Sequence, residues 1–169
     1  AMNVGAQTAE RLIAGGSRSL CTGEVGIGNT TPSAALIAHF ANANAQEVTG
    51  RGSGIDDATY ARKVEIVEHL INKTKTTKDP IDVLAQIGGL EIAALTGYIL
   101  RTTSLQIPVV LDGVITLAAA TVAEALKPNT TQFLIWLPGI CLTSDSSDSD
   151  SLFSRYFLLQ MIQHHDQMY

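Results

Sequence analysis

The stretch that most constrains this chain is Glu24–Pro32, where two glycines one residue apart precede an amide, two hydroxyls and a proline. Ser19–Val25 predicts a short strand running into the glycines, and a helical apolar pattern begins directly after them. Thr31 is predicted to cap that helix, with Pro32 as its first residue. A strand, a glycine turn and a helix N-terminus commonly bind phosphate, because free N–H groups and the helix dipole point to one place.

Two better-known phosphate signatures are not present in this stretch. No Lys follows Gly28, as a Walker A loop requires, and the third glycine of the dinucleotide fingerprint is missing. An ordinary strand-to-helix turn therefore stays open as an alternative for these residues, since glycine turns recur in α/β folds.

Composition indicates one folded domain and excludes several classes. Of the 169 residues 46% are hydrophobic and 16% charged, which suits a buried core. The net charge of −5 argues against nucleic acid as a partner.

Cys21 and Cys141 are too far apart for a disulfide framework, which favours reduced thiols and a cytoplasmic location. Arg11 interrupts the first apolar stretch, and no run approaches the length of a membrane span, so we expect neither a signal peptide nor a membrane segment.

Periodicity predicts helices that alternate with short apolar strands. The predicted helices are Val4–Ala14, Pro32–Ala45, Ala58–Lys75, a segment from Asp79–Pro80 to Gly88, Leu90–Thr103 with an interruption at Gly97, and Val114–Leu126. Val109–Leu111 and Gln132–Trp136 are predicted to join Ser19–Val25 as strands. Alternation of this kind predicts an α/β fold, with a parallel sheet flanked by helices in a Rossmann-like, three-layer arrangement.

A second glycine-rich segment and one strand end supply further candidate site residues. Val48–Asp57 has glycines at alternate positions, which predicts a loop carrying Arg51, and Asp57 is predicted to cap the next helix. Lys63 lies in that helix, where a solvated lysine is the simpler interpretation. Asp112 follows a buried strand, at the position where α/β sheets place ligand groups, although it would also serve as a helix N-cap.

Four blocks, in order, resemble the nicotinate-nucleotide–dimethylbenzimidazole phosphoribosyltransferase family. They are Glu24–Pro32, Thr49–Asp57 with Lys63, Val83–Gly97 and Ile107–Gly113, within a resemblance that covers about Gly5–Trp136. The resemblance implies an enzyme of cobalamin nucleotide-loop synthesis that uses no cofactor. Such enzymes move phosphoribose from nicotinate mononucleotide to a ring nitrogen of 5,6-dimethylbenzimidazole, giving nicotinate and α-ribazole 5′-phosphate. A homodimer is the candidate assembly.

The resemblance also implies roles for individual residues. Glu24 would be the catalytic carboxylate, because glycosyl transfer leaves positive character on the ribose and a proton to remove. The donor's phosphate and ribose would be held by Gly26, Ile27, Gly28, Asn29, Thr30, Thr31, Gly50, Arg51, Gly52, Lys63 and Asp112.

The chain departs from the family pattern in length and in its last segment. The family's Gly-Glu-Gly-Thr-Gly-Ala segment is missing, so we expect a fold that is incomplete relative to the family, weak nucleotide binding and little turnover. Residues 1–136 would form a partial large-domain core, and residues 137–169, with the acidic run Ser144–Ser151, a divergent and disordered or poorly packed tail. His164 and His165 lack partners at ligand spacing, so no metal site is expected. A nucleotide-binding module without chemistry and a structural α/β domain remain alternatives.

Overall fold

The computed structural model describes residues 1–52 and 54–136, which form an α/β unit around one three-stranded parallel sheet. Its strands are β1 (Leu20–Cys21), β2 (Val109–Leu111) and β3 (Leu134–Trp136), and they lie side by side in that order. The predicted parallel sheet is thus confirmed, and the carboxyl ends of all three strands lie at one edge. The predictions made for residues 137–169, including the His164–His165 pair, fall outside the described residues.

Seven helices flank this sheet in the described part of the chain. They are α1 (Met2–Ala14), α2 (Thr30–Ala41), α3 (Ala45–Val48), α4 (Asp57–Thr74), α5 (Pro80–Ile87), α6 (Leu90–Ser104) and α7 (Val114–Leu126), with a 3-10 turn at Thr130–Phe133. Two glycines follow the end of α1: the N–H of Gly16 donates to the carbonyl of Ile13 at 2.9 Å, with a φ of 98° that suits glycine.

Two predicted helix caps are wrong by one or two residues. Helix α2 is capped by Asn29 rather than Thr31, since the Asn29 carbonyl accepts the first helical bond, from the N–H of Ser33 at 3.1 Å. Pro32 is therefore the third helical residue, where its missing N–H still costs no hydrogen bond. Helix α4 is capped by Asp56 rather than Asp57, because the Asp56 carboxylate accepts from the N–H of Thr59 at 2.8 Å.

Three further element boundaries differ from the predictions. Strand β1 stops at Cys21 because the chain turns out of the sheet after the N–H of Thr22 donates to Val110 at 2.9 Å. Strand β3 is shortened at its start by the 3-10 turn. The helix predicted to reach Ala45 ends at Ala41, since Asn42 adopts a left-handed φ of 52°, and a separate short helix follows under an Asn44 capping box.

Helix α7 forms the centre of the core. Every residue from Ile115 to Glu124 is buried, and α7 packs between α2 on one side and α6 on the other. Helix α2 is also buried from Ser33 to Ala38, where small side chains let the two helices approach closely. The N-terminus of α2, which carries the glycine turn, is therefore fixed to the most buried helix.

Helix α1 crosses α6 at two glycines that leave no room for a side chain. A Cβ on Gly97 would collide with the Met2 carbonyl and lie 2.8 Å from the Met2 Cα. A Cβ on Gly5 would collide with the Ala94 carbonyl. The predicted interruption of α6 at Gly97 is wrong, because α6 is continuous there and the glycine serves close backbone approach instead.

We expect Gly97→Ala to lower the free energy of unfolding by about 1–3 kcal/mol, because the added methyl group meets backbone that cannot move away cheaply. In an unobstructed helix the same change would raise the free energy of unfolding by about 1 kcal/mol. A decrease in that free energy would therefore show that the close contact between Gly97 and Met2 is present. Denaturant unfolding measures the change. Gly50→Ala is the control, since its Cβ would meet nothing within 4 Å and should shift stability by less than about 0.5 kcal/mol.

A second prediction concerns His39, whose Nδ1 lies 3.0 Å from the Thr74 hydroxyl and joins α2 to α4. Burial lowers the pKa of His39 below its ordinary value of 6.5. Because the unfolded chain then binds the proton more readily, stability is fully present above pH 6.5 and falls as the pH drops towards the folded-state pKa. Unfolding free energies measured between about pH 8 and about pH 5 should show this fall.

The variant His39→Gln should flatten that acid-side slope. His69→Gln, on an exposed position of α4, is the matched control and should leave the His39 contribution in place. Equal slopes in the wild type and His39→Gln would show that the half-buried imidazole does not contribute to the pH dependence.

Candidate functional site

The loops that follow β1 and β2 meet at the carboxyl edge of the sheet. The Thr22 hydroxyl lies 3.3 Å from Asp112 Oδ1, and a Cβ on Gly23 would lie 3.9 Å from Asp112 Oδ2. Glu24 follows on the same loop, so the structure places Glu24 and Asp112 at the same edge, where α/β sheets bind their ligands. Asp112 does not cap α7, because the N-cap is Gly113.

The Glu24 carboxylate and the Asn29 amide both lie close to the backbone of Gly26. A Cβ at this position would collide with Glu24 Oε1 and lie 2.5 Å from Asn29 Nδ2. The Asn29 side chain makes no capping bond to α2, although the residue is buried. The missing side chain of Gly26 therefore leaves room for the Glu24 carboxylate and the Asn29 amide next to the turn.

The glycine turn itself is open to solvent. Val25 and Ile27 are fully exposed, and Gly28 has a left-handed φ of 84° that favours glycine. Within residues 1–52 and 54–136, the N–H groups of Gly26, Ile27 and Gly28 have no hydrogen-bond partner. Helix α2 begins two residues later, at Thr30, so these N–H groups lie beside a positive helix end.

Lys63 supplies a cation at that helix end. Its Nζ donates to Thr30 Oγ1 at 3.0 Å and to the Gly50 carbonyl at 2.7 Å, and it lies 3.8 Å from a Cβ built on Gly52. Burial lowers the pKa of the Lys63 ammonium group. The interpretation of Lys63 as a solvated helix lysine is therefore wrong: it joins α4, the start of α2 and the second glycine loop.

Arg51 holds the second glycine loop to the start of α4. Its guanidinium donates to the Ile55 carbonyl at 3.0 Å, lies 2.5 Å from Asp57 Oδ1 and stacks over the Tyr60 ring with a separation of 4.9 Å. Gly52 and Gly54 in this loop have left-handed φ values of 63° and 86°. Arg51 thus lies in the predicted loop and also supports the loop's own conformation.

The sequence analysis missed two side chains that hold the site in shape. Thr22 joins the ends of β1 and β2, and the Tyr98 hydroxyl donates to the Cys21 carbonyl at 3.2 Å, fixing β1 against α6. Alternation along β1 places Thr22 on the same buried face as Leu20, a pattern visible in the sequence. Tyr98 had no comparable local signal, because its partner is distant along the chain.

The described residues contain neither a metal-binding cluster nor a membrane-crossing helix. Within residues 1–52 and 54–136, no group of three or more His, Cys, Asp or Glu side chains could hold a metal ion. None of the described helices combines the length and the apolar character needed to cross a membrane.

Comparison with known proteins identifies related sequences and structures. A family model described as phosphoribosyltransferase matches residues 1–138. The nicotinate-nucleotide–dimethylbenzimidazole phosphoribosyltransferase of Salinispora tropica is 47% identical over 136 residues, covering 80% of this chain and 37% of the relative. The enzyme of the same name from Geotalea uraniireducens is 45% identical, covering 79% of this chain and 38% of the relative.

Solved structures agree with these sequence matches. CobT from Thermus thermophilus superposes with a TM-score of 0.79 at 26% identity, covering 96% of this chain and 55% of that protein. A nicotinate-nucleotide–dimethylbenzimidazole phosphoribosyltransferase structure from the same organism gives 0.74 at 32% identity, covering 80% of this chain and 39% of that protein. The chain spans well under half the length of its curated relatives. On the family match and these relatives, the chain belongs to the nicotinate-nucleotide–dimethylbenzimidazole phosphoribosyltransferase family.

Proposed function

We propose that this protein transfers phosphoribose from nicotinate mononucleotide to 5,6-dimethylbenzimidazole, releasing nicotinate and forming α-ribazole 5′-phosphate, with a turnover reduced below that of the full-length relatives. The observation that carries the proposal is the position of the Lys63 amine, bonded to Thr30 at the start of α2 and next to the glycine turn. Family membership supports the choice of substrates, since the relatives are named for them.

The donor's phosphate binds where backbone donors and one cation converge. An ammonium group has three protons, and two of those on Lys63 are committed to Thr30 and Gly50, so one is left for a phosphate oxygen. The free N–H groups of the glycine turn and the positive end of α2 favour the same anion. The rest of the phosphate site is formed by Asn29, Thr31, Gly50, Arg51 and Gly52.

The transfer step requires a carboxylate near the sugar, and Glu24 provides it. Nicotinate leaves with the electron pair of its glycosidic bond, so the ribose carries positive character as the acceptor nitrogen forms the new bond. The Glu24 carboxylate stabilises that charge or takes the proton that the benzimidazole ring loses. Asp112, at the adjacent strand end, accepts hydrogen bonds from ribose hydroxyls. The step needs no cofactor.

A cytoplasmic location and self-association belong to the same proposal. Two cysteines far apart in the sequence suit a reducing compartment. The assembly in this proposal is a homodimer, in which a second copy would cover the fully exposed side chains of Val25 and Ile27.

We expect Lys63→Met to weaken nicotinate mononucleotide binding by about 1.5–3 kcal/mol, since a charge-assisted hydrogen bond to the phosphate is lost. Isothermal titration calorimetry measures the change. Lys73→Met removes an exposed lysine from the same helix and should leave the affinity unchanged. Nicotinate riboside, which lacks the phosphate, should bind wild type and Lys63→Met equally. Unchanged mononucleotide affinity in Lys63→Met would contradict the phosphate site.

A separate prediction tests the chemistry. Nicotinate release from the mononucleotide should require dimethylbenzimidazole, and Glu24→Gln should slow it by about 10²–10⁴-fold as general-base or charge stabilisation is lost. Glu65→Gln, on an exposed position of α4, is the control. A binding heat without acceptor-dependent release would instead favour the nucleotide-binding module, and the absence of any heat at millimolar ligand would favour a structural domain.

A further inference from the structure

Thr22 is the side chain that joins the two strand ends at the site. It is buried, and it lies one residue beyond β1. Its N–H donates to the Val110 carbonyl at 2.9 Å, while its hydroxyl oxygen lies 3.1 Å from the same carbonyl and 3.3 Å from Asp112 Oδ1. The backbone of Thr22 is thus fixed to β2, and its hydroxyl reaches the carboxylate that follows β2.

The hydroxyl has a single proton and two acceptors within reach. The Val110 carbonyl already accepts the Thr22 N–H, whereas Asp112 offers a carboxylate. Hydrogen bonds to an ionised acceptor are about twice as strong as neutral ones. The Asp112 carboxylate is therefore the favoured acceptor, and the bond restrains its orientation through Oδ1.

The rest of Asp112 is left for a ligand. Among the described residues, Thr22 is the hydrogen-bond partner of its carboxylate, through Oδ1, and Oδ2 lies 3.9 Å from a Cβ built on Gly23. The following residue, Gly113, bonds Thr116 Oγ1 through both its N–H and its carbonyl, so it turns the chain into α7 without engaging the carboxylate.

We propose that Thr22 is a positioning residue: its hydroxyl holds Asp112 Oδ1 so that Oδ2 is presented to a hydroxyl of the donor's ribose. This inference rests on the proposed function, because it assumes that a ribose phosphate binds at this edge. Thr22 does not touch the sugar. It fixes the carboxylate before the ligand arrives, so binding does not have to restrict that side chain's rotation.

Thr22 should affect recognition of the sugar but not of the phosphate. Calorimetry on the full chain can measure the affinity for each. The probes are ribose 5-phosphate and methyl phosphate, a phosphate monoester without a sugar. Thr22→Val keeps the shape and the backbone bond to Val110 but removes the hydroxyl, and it should weaken ribose 5-phosphate binding roughly three- to tenfold. Methyl phosphate affinity should not change, and Thr22→Ser should restore ribose 5-phosphate binding.

A double-mutant cycle shows whether Thr22 acts through Asp112. In an Asp112→Asn background, replacing the carboxylate removes the group that Thr22 orients, so adding Thr22→Val should have a much smaller effect than it has in the wild type. An equal effect in both backgrounds would overturn the proposal. So would equal ribose 5-phosphate affinity in wild type and Thr22→Val, parallel loss of both probes, or failure of Thr22→Ser to restore binding.

Failure of the proposed function has a different signature. If the wild type binds neither probe, the ribose phosphate site itself is wrong and the positioning role falls with it. If the wild type binds ribose 5-phosphate more tightly than methyl phosphate and Thr22→Val preserves that difference, the positioning role alone is refuted. Thermal unfolding of each variant distinguishes these results from loss of fold.

Discussion

The parallel pairing of β1 with β2 is the constraint on which the site depends. Leu20 pairs with Val109 and Cys21 with Val110, so the loops that follow both strands leave the sheet at one edge. A strand of two residues has little hydrogen bonding of its own to hold it. Its position is stabilised by the burial of Leu20 and by the hydrogen bond from Tyr98 on α6 to the Cys21 carbonyl. Helix α6 therefore supports the edge of the sheet at which the candidate site lies.

Turn residues and hydrophobic periodicity predicted the main helices and strands, because both act over a few neighbouring residues. The boundaries were less accurate where two residues could serve one role. Asn29 and Thr31 are both residue types that favour the N-cap position, so residue type alone could not decide between them. Gly97 is instructive in the same way: a helical glycine normally lowers helix propensity, and only the crossing with α1 explains its presence.

In the candidate site, too, local features could be predicted from the sequence, whereas contacts between distant residues could not. The glycine turn was visible because its function depends on backbone conformation, which glycine encodes directly. The contacts of Lys63 with Thr30 and of Thr22 with Asp112 join residues distant in sequence, so their geometry emerges only from the fold. The family resemblance selected Lys63 as a residue of the phosphate site, whereas residue type alone favoured solvent, and the structure places its amine at the start of α2. The chain as a whole carries a net charge of −5. The positive charge of the half-buried Lys63 ammonium group is therefore confined to its own surroundings.

The glycine crossing of α1 and α6 has a consequence for how the chain acquires its structure during synthesis. Helix α1 is made before α6, so the surface that accepts it, around Ala94 and Gly97, is translated much later. Until α6 leaves the ribosome, the buried face of α1 around Ala9 lacks this packing surface and stays available for incorrect contacts. Contacts between distant segments also slow folding, because the chain must close a long loop before it gains their energy. The contact between α1 and α6 can therefore form only after α6 has been synthesised, and the apolar face of α1 waits for it until then.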